Sequence, residues 1–247
     1  MEQLVREPLG GGIYVFVTEA HHFTTDTILL ADFSKPGSGK LCADLGTGCG
    51  TIPLIWLRDN RSVTVDAVEI QPTACALAAE SAAYNILDDK MHVYCADIRD
   101  LKGVLPFGSY DLVVSNPPYK PLGTGVRNPN KSKLTSRHEN ECTLDDICAA
   151  AEKLLQFGGR LCICQRPERL PDALEKMRAH GIEPKLLRMV QQRKGKEPKL
   201  FLLEGRRGGK KGFMKTLPTL FIEDEQGGFS QEMKTIYGSY KEQVTGE

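Results

Sequence analysis

The segment Asp44-Leu45-Gly46-Thr47-Gly48-Cys49-Gly50 constrains this chain more than any other. It follows the apolar run Leu41-Cys42-Ala43 and precedes a helical pattern that continues through Trp56, with Pro53 in its first turn, where a missing N–H costs nothing. Three alternating glycines permit a tight turn and let the backbone approach a ligand closely. Strand, glycine-rich turn and helix in that order make the start of a βαβ unit, and the rest of the chain repeats the alternation. Residues 63–69, 91–97, 110–116 and 160–165 read as further strands, and 72–85, 144–156 and 171–180 as helices, the second of these ended by Gly158-Gly159. Residues 185–191 and 199–204 read as a final hairpin around a basic turn. This pattern predicts an α/β fold with a doubly wound, mostly parallel sheet and helices on both faces. Runs such as Asp111-Leu112-Val113-Val114-Ser115 are apolar on both faces, as doubly covered strands must be.

Composition sets the outer limits. The 247 residues carry 32 Lys+Arg and 32 Asp+Glu, so the chain is not a polycationic nucleic-acid coat. With 40% hydrophobic and 26% charged residues it falls in the globular range, which excludes long disorder. The N-terminal Met1-Glu2-Gln3-Leu4-Val5-Arg6-Glu7 is no signal peptide, and no run approaches a membrane span, so no membrane partner is expected. The eight cysteines form no CxxC pair, and Cys162 and Cys164 point to one face of a strand. No metal is expected, and free thiols point to the cytoplasm. Residues 1–22 read as a small β-rich flap, 23–222 as the main domain and 223–247 as a polar tail with a short helix. The oligomeric state stays open, with a monomer slightly favoured.

Three acids fall at strand ends on one rim, where ligands bind in open α/β sheets: Asp44, Glu69 and Asp97. Each also reads as an acid that caps the next helix. Glu69, about 20 residues past the loop, suits a ribose diol. A pyrophosphate would favour GxGxxG; here the pattern is GxGxG behind Asp44, and an acid so close to the loop matches a phosphate poorly. A cofactor bearing an ammonium or sulfonium charge fits better, which is the chemistry of S-adenosylmethionine.

The fourth strand ends in Ser115-Asn116-Pro117-Pro118-Tyr119. Consecutive prolines fix φ, remove two backbone donors and hold Pro117 extended. The carbonyls of the Asn116 side chain and the Pro117 backbone are then placed to accept both hydrogens of a planar –NH2 group. Tyr119 offers a face for stacking a base, worth roughly 1–3 kcal/mol. An amide or aromatic –NH2 is a poor nucleophile because its lone pair is delocalised; accepting both N–H bonds returns density to nitrogen, and positioning supplies the rest.

Together these motifs resemble the class I S-adenosylmethionine-dependent amino-methyltransferases. The resemblance implies a Rossmann-like seven-stranded sheet with an antiparallel last strand. Phe23-Thr24-Thr25-Asp26-Thr27-Ile28-Leu29-Leu30-Ala31 resembles the segment before the loop in bacterial tRNA adenine-N6 methyltransferases that modify valine tRNA at position 37. Ser136-Arg137-His138-Glu139 with Thr143-Leu144-Asp145-Asp146, Leu220-Phe221-Ile222-Glu223-Asp224, and Ile236-Tyr237-Gly238 resemble other parts of the same family. Thr27 departs from it, standing where a small residue or glycine is expected. The resemblance implies Asn116, Pro117, Pro118 and Tyr119 as the catalytic hook. It implies a cofactor site of Thr25, Asp26, Asp44, Gly46, Thr47, Gly48, Gly50, Glu69, Ile70, Asp97, Ile98 and Asn116.

Charge is uneven along the chain. From 191 to 215 there are nine Lys/Arg against two acids, and from 120 to 140 five against one. Such clusters supply sequence-nonspecific nucleic-acid affinity, though each also reads as a solvated charged loop. The expected tRNA contacts are Lys120, Arg127, Lys131, Lys133, Arg137, Arg193, Lys194, Lys196, Arg206 and Arg207. Loop 120–140 would close over a flipped base, since a base must leave its stack to react. Two alternatives remain: a glutamine-N5 methyltransferase acting on a release factor, which usually carries a helical domain before the loop, and a non-catalytic RNA-binding module.

Overall fold

The computed structural model describes residues 3–117 and 142–240. Strands β1 (Val5–Gly10) and β2 (Ile13–Val17) form an antiparallel hairpin. Helix α1 (Thr25–Ser34) leads into β3 (Leu41–Leu45), and then α2 (Thr51–Asp59), β4 (Thr64–Glu69), α3 (Pro72–Tyr84), β5 (Met91–Cys95) and β6 (Tyr110–Ser115) alternate. After residue 142 come α4 (Leu144–Leu154), β7 (Leu155–Gln165), α5 (Leu170–Ala179), β8 (Ile182–Gln191) and β9 (Pro198–Arg207). Two short strands, β10 (Lys215–Thr216) and β11 (Leu220–Phe221), and helix α6 (Gln231–Tyr237) complete the described chain.

The main sheet runs β10-β8-β9-β7-β6-β3-β4-β5, with β11 also beside β8. Strands β3 to β9 are the seven expected from the sequence. The sheet has nine strands because the two-residue β10 and β11 add to its edge, parallel to β8. Strand β9 is antiparallel to both β7 and β8. The order reverses between β3 and β6, so the crevice outside their carboxyl ends is a topological switch point.

Period-two alternation sorts the strand side chains into two cores. Cys42, Val65, Ala67, Leu112, Val114, Cys162 and Cys164 face one layer, built from α1, α2, α3 and the β1–β2 hairpin. Ala43, Leu45, Val68, Val113, Leu161 and Ile163 face the other, covered by α4 and α5. The hairpin is pinned to α3: Asn85 Oδ1 accepts the Tyr14 amide at 2.9 Å, and Ser81 Oγ accepts the Phe16 amide at 2.9 Å. In the segment read as a polar tail, α6 buries Met233 and Tyr237 in the first core.

Two boundaries differ from the sequence expectation. Helix α4 opens on a capping box, Thr143 Oγ1 accepting the Asp146 amide at 3.1 Å and Asp146 Oδ2 the Thr143 amide at 2.9 Å. It stops at Leu154 rather than at Gly158-Gly159, and the backbone turns extended at Leu155. The two glycines instead make an irregularity in β7, where its register against β6 shifts between Tyr110 and Leu112.

Gly205 in β9 is where α5 and β8 close over the sheet. A Cβ there would lie 2.7 Å from Ile182 Cγ2 and 2.9 Å from Met177 Sδ. Gly205→Ala is expected to lower unfolding stability by roughly 1–3 kcal/mol, as overpacking does, read as a lower urea midpoint at unchanged m-value.

Candidate functional site

The loop after β3 is held by backbone bonds to its neighbour. The Gly46 and Thr47 amides donate to the Val68 carbonyl at 2.8 and 3.0 Å. Gly46, Gly48 and Gly50 have φ of 77°, 59° and 84°, a region that favours glycine. At Gly46 and Gly48 a Cβ would meet nothing within 4 Å, so the backbone there borders open space. Gly50 is different: its Cβ would sit 2.5 Å from the Met91 side chain, and the glycine lets α2 start tight against α3 and β5.

Asp44 is buried behind this loop. Its Oδ2 accepts the Thr47 hydroxyl at 2.7 Å, and Oδ1 is a buried oxygen with no hydrogen-bond partner. Burial pushes its carboxyl up to about 7, against the opposing effect of the Thr47 bond. A buried carboxylate oxygen with no donor, beside an open glycine backbone, is a receptor for a cationic group.

Glu69 is buried at the end of β4 and binds both loop and helix. Its Oε2 accepts the Gly48 amide at 2.9 Å; Oε1 accepts the Ile70 and Gln71 amides at 3.0 and 2.9 Å. Ile70 and Gln71 precede Pro72, the first residue of α3, so Glu69 fixes the approach to the helix rather than capping its first turn. A carboxylate accepts about four bonds, so room remains for one further hydroxyl donor. Asp97 lies two residues beyond the end of β5, and Arg99 occupies it. The Arg99 backbone amide and Nε reach Oδ1, both at 2.9 Å, and Nη2 reaches Oδ2 at 2.5 Å. These bonds hold the Asp97 carboxyl below its ordinary range. A ligand amine at Asp97 must share or displace Arg99. Ile70 is exposed on the rim, while Ile98 packs partly against the second core.

Strand β6 sets the second half of the site. Val114 pairs with Asp44, which puts Asn116 two residues further along, level with the start of the glycine loop. Ser115 is buried and donates to the Leu45 carbonyl at 2.8 Å, tying the two strand ends together. Asn116 is half-buried and its Nδ2 donates to Thr27 Oγ1 at 3.3 Å; Pro117 is buried. Thr25 and Asp26 lie with Thr27 on the first turn of α1. Thr25 Oγ1 lies 3.0 Å from the Tyr237 hydroxyl. Tyr237 stacks against Phe229 and Tyr240, and Tyr240 against Phe23. Pro118, Tyr119, Lys120, Arg127, Lys131, Lys133 and Arg137 lie outside the described residues.

The basic stretch from 191 to 215 divides between the two ends of the sheet. Arg193, Lys194 and Lys196 occupy the β8–β9 turn, at the carboxyl ends of the parallel strands and on the Asn116 rim, and all three are exposed. Arg193 and Lys196 line an open groove of 640 Å³ with Gln192, Glu197, Lys199 and Glu223. Arg206 and Arg207 pair across the sheet with Arg160 and Ile182, at the opposite rim. There Arg206 lies 3.6 Å from Glu204, and Arg207 donates to the Leu155 carbonyl. One contiguous basic run therefore makes two surfaces, because β9 carries the chain across the whole sheet.

Sequence reasoning passed over Arg99 and gave Tyr237, quoted within Ile236-Tyr237-Gly238, no place at the site. Arg99 was visible as an opposite charge two residues from Asp97, a local spacing that permits such a clamp; nothing local marked the contact of Tyr237 with Thr25. Among the described residues no cluster of three or more His, Cys, Asp or Glu is arranged to hold a metal ion. No described helix is long and apolar enough to cross a membrane.

Comparison with known proteins gives the chain its family. A family profile described as "methyltransferase small domain" matches residues 15–180. A Porphyromonas gingivalis protein named tRNA1(Val) (adenine(37)-N6)-methyltransferase is 30% identical over 74% of this chain and 73% of its own length. Proteins of the same name from Yersinia enterocolitica and Photorhabdus laumondii are 32% and 28% identical, covering 66% and 86% of this chain and 67% and 85% of their own. Among solved structures, a protein described as a predicted O-methyltransferase of Agrobacterium tumefaciens superposes with a TM-score of 0.71 at 17% identity, over 87% of this chain and 97% of its own. A geranyl diphosphate methyltransferase solved with its cofactor gives 0.55 at 13% identity, over 73% and 84%. These two likenesses establish a shared fold.

Asp44 makes the site pH-dependent. Its carboxyl is neutral below about 7 in the empty protein, and a cationic ligand requires the ionised form. Affinity for S-adenosylmethionine is therefore expected to rise with pH between about 5.5 and 8. Asp44→Asn should flatten that rise and weaken binding at pH 8 by at least about ten-fold, measured by titration calorimetry. Stability runs the other way. The folded pKa is raised from 3.8 to about 7, so this group's stabilising contribution is present below 3.8 and lost as pH rises through 7. The unliganded Asp44→Asn protein should melt higher than the unsubstituted protein at pH 8, with a smaller difference at pH 5.5.

Proposed function

This chain belongs to the methyltransferase small domain family, and we propose that it transfers a methyl group from S-adenosylmethionine to the exocyclic N6 of adenine 37, beside the anticodon, in valine tRNA. One observation carries the reading. Asn116 stands at the end of β6, level with the glycine loop and buried Asp44, in a chain whose named relatives match about three quarters of its length.

The residues fit the cofactor. Asp44 Oδ1, buried and without a donor, would take its cationic amino-acid end, and the open backbone at Gly46 and Gly48 would lie along it. Glu69 keeps room for one ribose hydroxyl while still bonded to Gly48, Ile70 and Gln71. Asp97 would meet the adenine edge, with Arg99 sharing its carboxylate. S-adenosylmethionine, when bound, supplies an electrophilic methyl group. The protein's part is to hold the acceptor. The Asn116 side-chain carbonyl and the Pro117 carbonyl accept the two N–H bonds of the adenine amine, which orients it and raises density on nitrogen. Tyr119 stacks on the base, and Pro118 stiffens the hook. No side chain is assigned as a general base: the nitrogen carries a positive charge once methylated, is then a strong acid, and loses its proton to water.

The tRNA contacts follow the division of the basic stretch. Arg193, Lys194 and Lys196 share the rim of Asn116 and serve as phosphate contacts. Lys120, Arg127, Lys131, Lys133 and Arg137, in the segment after the hook, are proposed as further phosphate contacts. Arg206 and Arg207, at the far rim, do not take part. The protein works in the cytoplasm, where its tRNA is.

The deciding experiment is methyl transfer from labelled S-adenosylmethionine to unmodified tRNA and, separately, to a release factor. Labelled N6-methyladenosine in digested valine tRNA is expected; label on protein alone overturns the proposal. Asn116→Ala should abolish transfer while leaving cofactor affinity within a few-fold. Replacing Arg193, Lys194 and Lys196 with alanine should raise KM for tRNA at least about ten-fold and flatten its log–log salt dependence by about three. Arg206→Ala should leave both within about two-fold.

A further inference from the structure

Asn116 is useful to the chemistry only in one of the two orientations of its amide. The carboxamide is planar, with a donor edge and an acceptor edge related by a half-turn that changes the shape of the side chain very little. Steric packing alone distinguishes the two poorly, so the side chain needs a hydrogen-bond anchor to stay in the useful one. In this structure the Asn116 Nδ2 donates to Thr27 Oγ1 at 3.3 Å, across 89 residues of chain. The amino edge thus faces α1, and the carbonyl edge is turned away from it.

Thr27 is itself firmly placed. It lies in the first turn of α1, and its amide donates to the Thr24 carbonyl at 3.1 Å. Its Cβ is branched, which restricts χ1 in a helix. The next three residues, Ile28, Leu29 and Leu30, are buried in the core, so the helix cannot roll to take Thr27 away. On the same turn, Thr25 meets the buried Tyr237 hydroxyl, which holds the start of α1 from the side of α6. Thr27 is also the residue at which segment 23–31 departs from the pattern it resembles, where a glycine would have no hydroxyl to offer.

We propose that Thr27 is a positioning residue for the methyl-transfer site: its hydroxyl accepts the Asn116 amide N–H and so holds the side chain with Oδ1 presented to the acceptor amine. The proposal rests on the functional reading above. Thr27 touches neither methyl donor nor acceptor; it acts through Asn116.

The test uses the full-length protein, with Thr27→Val to remove the hydroxyl at nearly constant shape and Thr27→Ser to keep it. Loss of one neutral hydrogen bond predicts a fall in kcat of about five- to ten-fold for Thr27→Val. The dissociation constant for S-adenosylmethionine and KM for tRNA should stay within about two-fold, and Thr27→Ser should recover kcat to within about two-fold of the unsubstituted protein. A second readout does not depend on turnover. The Asn116 side-chain NH2 resonances, assigned by their loss in Asn116→Ala, should exchange slowly with solvent in the unsubstituted and Thr27→Ser proteins and faster in Thr27→Val. Unchanged kcat in Thr27→Val, equal impairment in Thr27→Ser, or unchanged exchange overturns the proposal. If the unsubstituted protein leaves tRNA unmethylated, the functional reading fails instead, and the exchange measurement still decides whether Thr27 anchors Asn116.

Discussion

The Glu69 carboxylate is the joint on which this site hangs. It closes β4, accepts the Gly48 amide from the glycine loop and takes the Ile70 and Gln71 amides on the approach to α3. Its two oxygens thus join the strand end, a loop 21 residues earlier and the lead into the helix. Beside that clamp the loop between β3 and α2 is held in shape by the Val68 carbonyl and by the Thr47 hydroxyl on Asp44. The openness of Gly46 and Gly48 depends on the loop keeping that shape.

Behind the loop, Asp44 is a charge kept in reserve. A carboxylate buried with one unpartnered oxygen weakens the empty fold as pH rises, and binding a cation relieves it. Binding and stability are therefore linked through one residue. The rest of the sheet tolerates this because β3 is central, flanked by β4 and β6 and covered by a core on each face.

The acceptor side is built by register. Strand β6 lies beside β3, and Ser115 ties their ends, so Asn116 emerges level with the loop. The β8–β9 turn brings its cations to the same rim because β8 runs parallel to β7 and ends there. The glycine loop, Asn116 and the basic turn share one rim as three consequences of strand direction in one sheet.

Much of this was legible in the chain itself. The strands β3 to β9, the antiparallel β9, the glycine loop and the strand-end positions of Asp44 and Glu69 are local features, written in period-two apolar runs and in glycine and proline chemistry. The same-face pairing of Cys162 and Cys164 follows from the pleat alone. Only the tertiary structure decided which side chains meet across the sheet. Thr27 meets Asn116, Tyr237 meets Thr25, and one basic stretch becomes two opposite surfaces. The physical reason is range. Backbone sterics and side-chain periodicity act within a few residues and leave their mark on the local sequence. Contacts between residues tens or hundreds of positions apart depend on strand order and register, which the whole core must settle together.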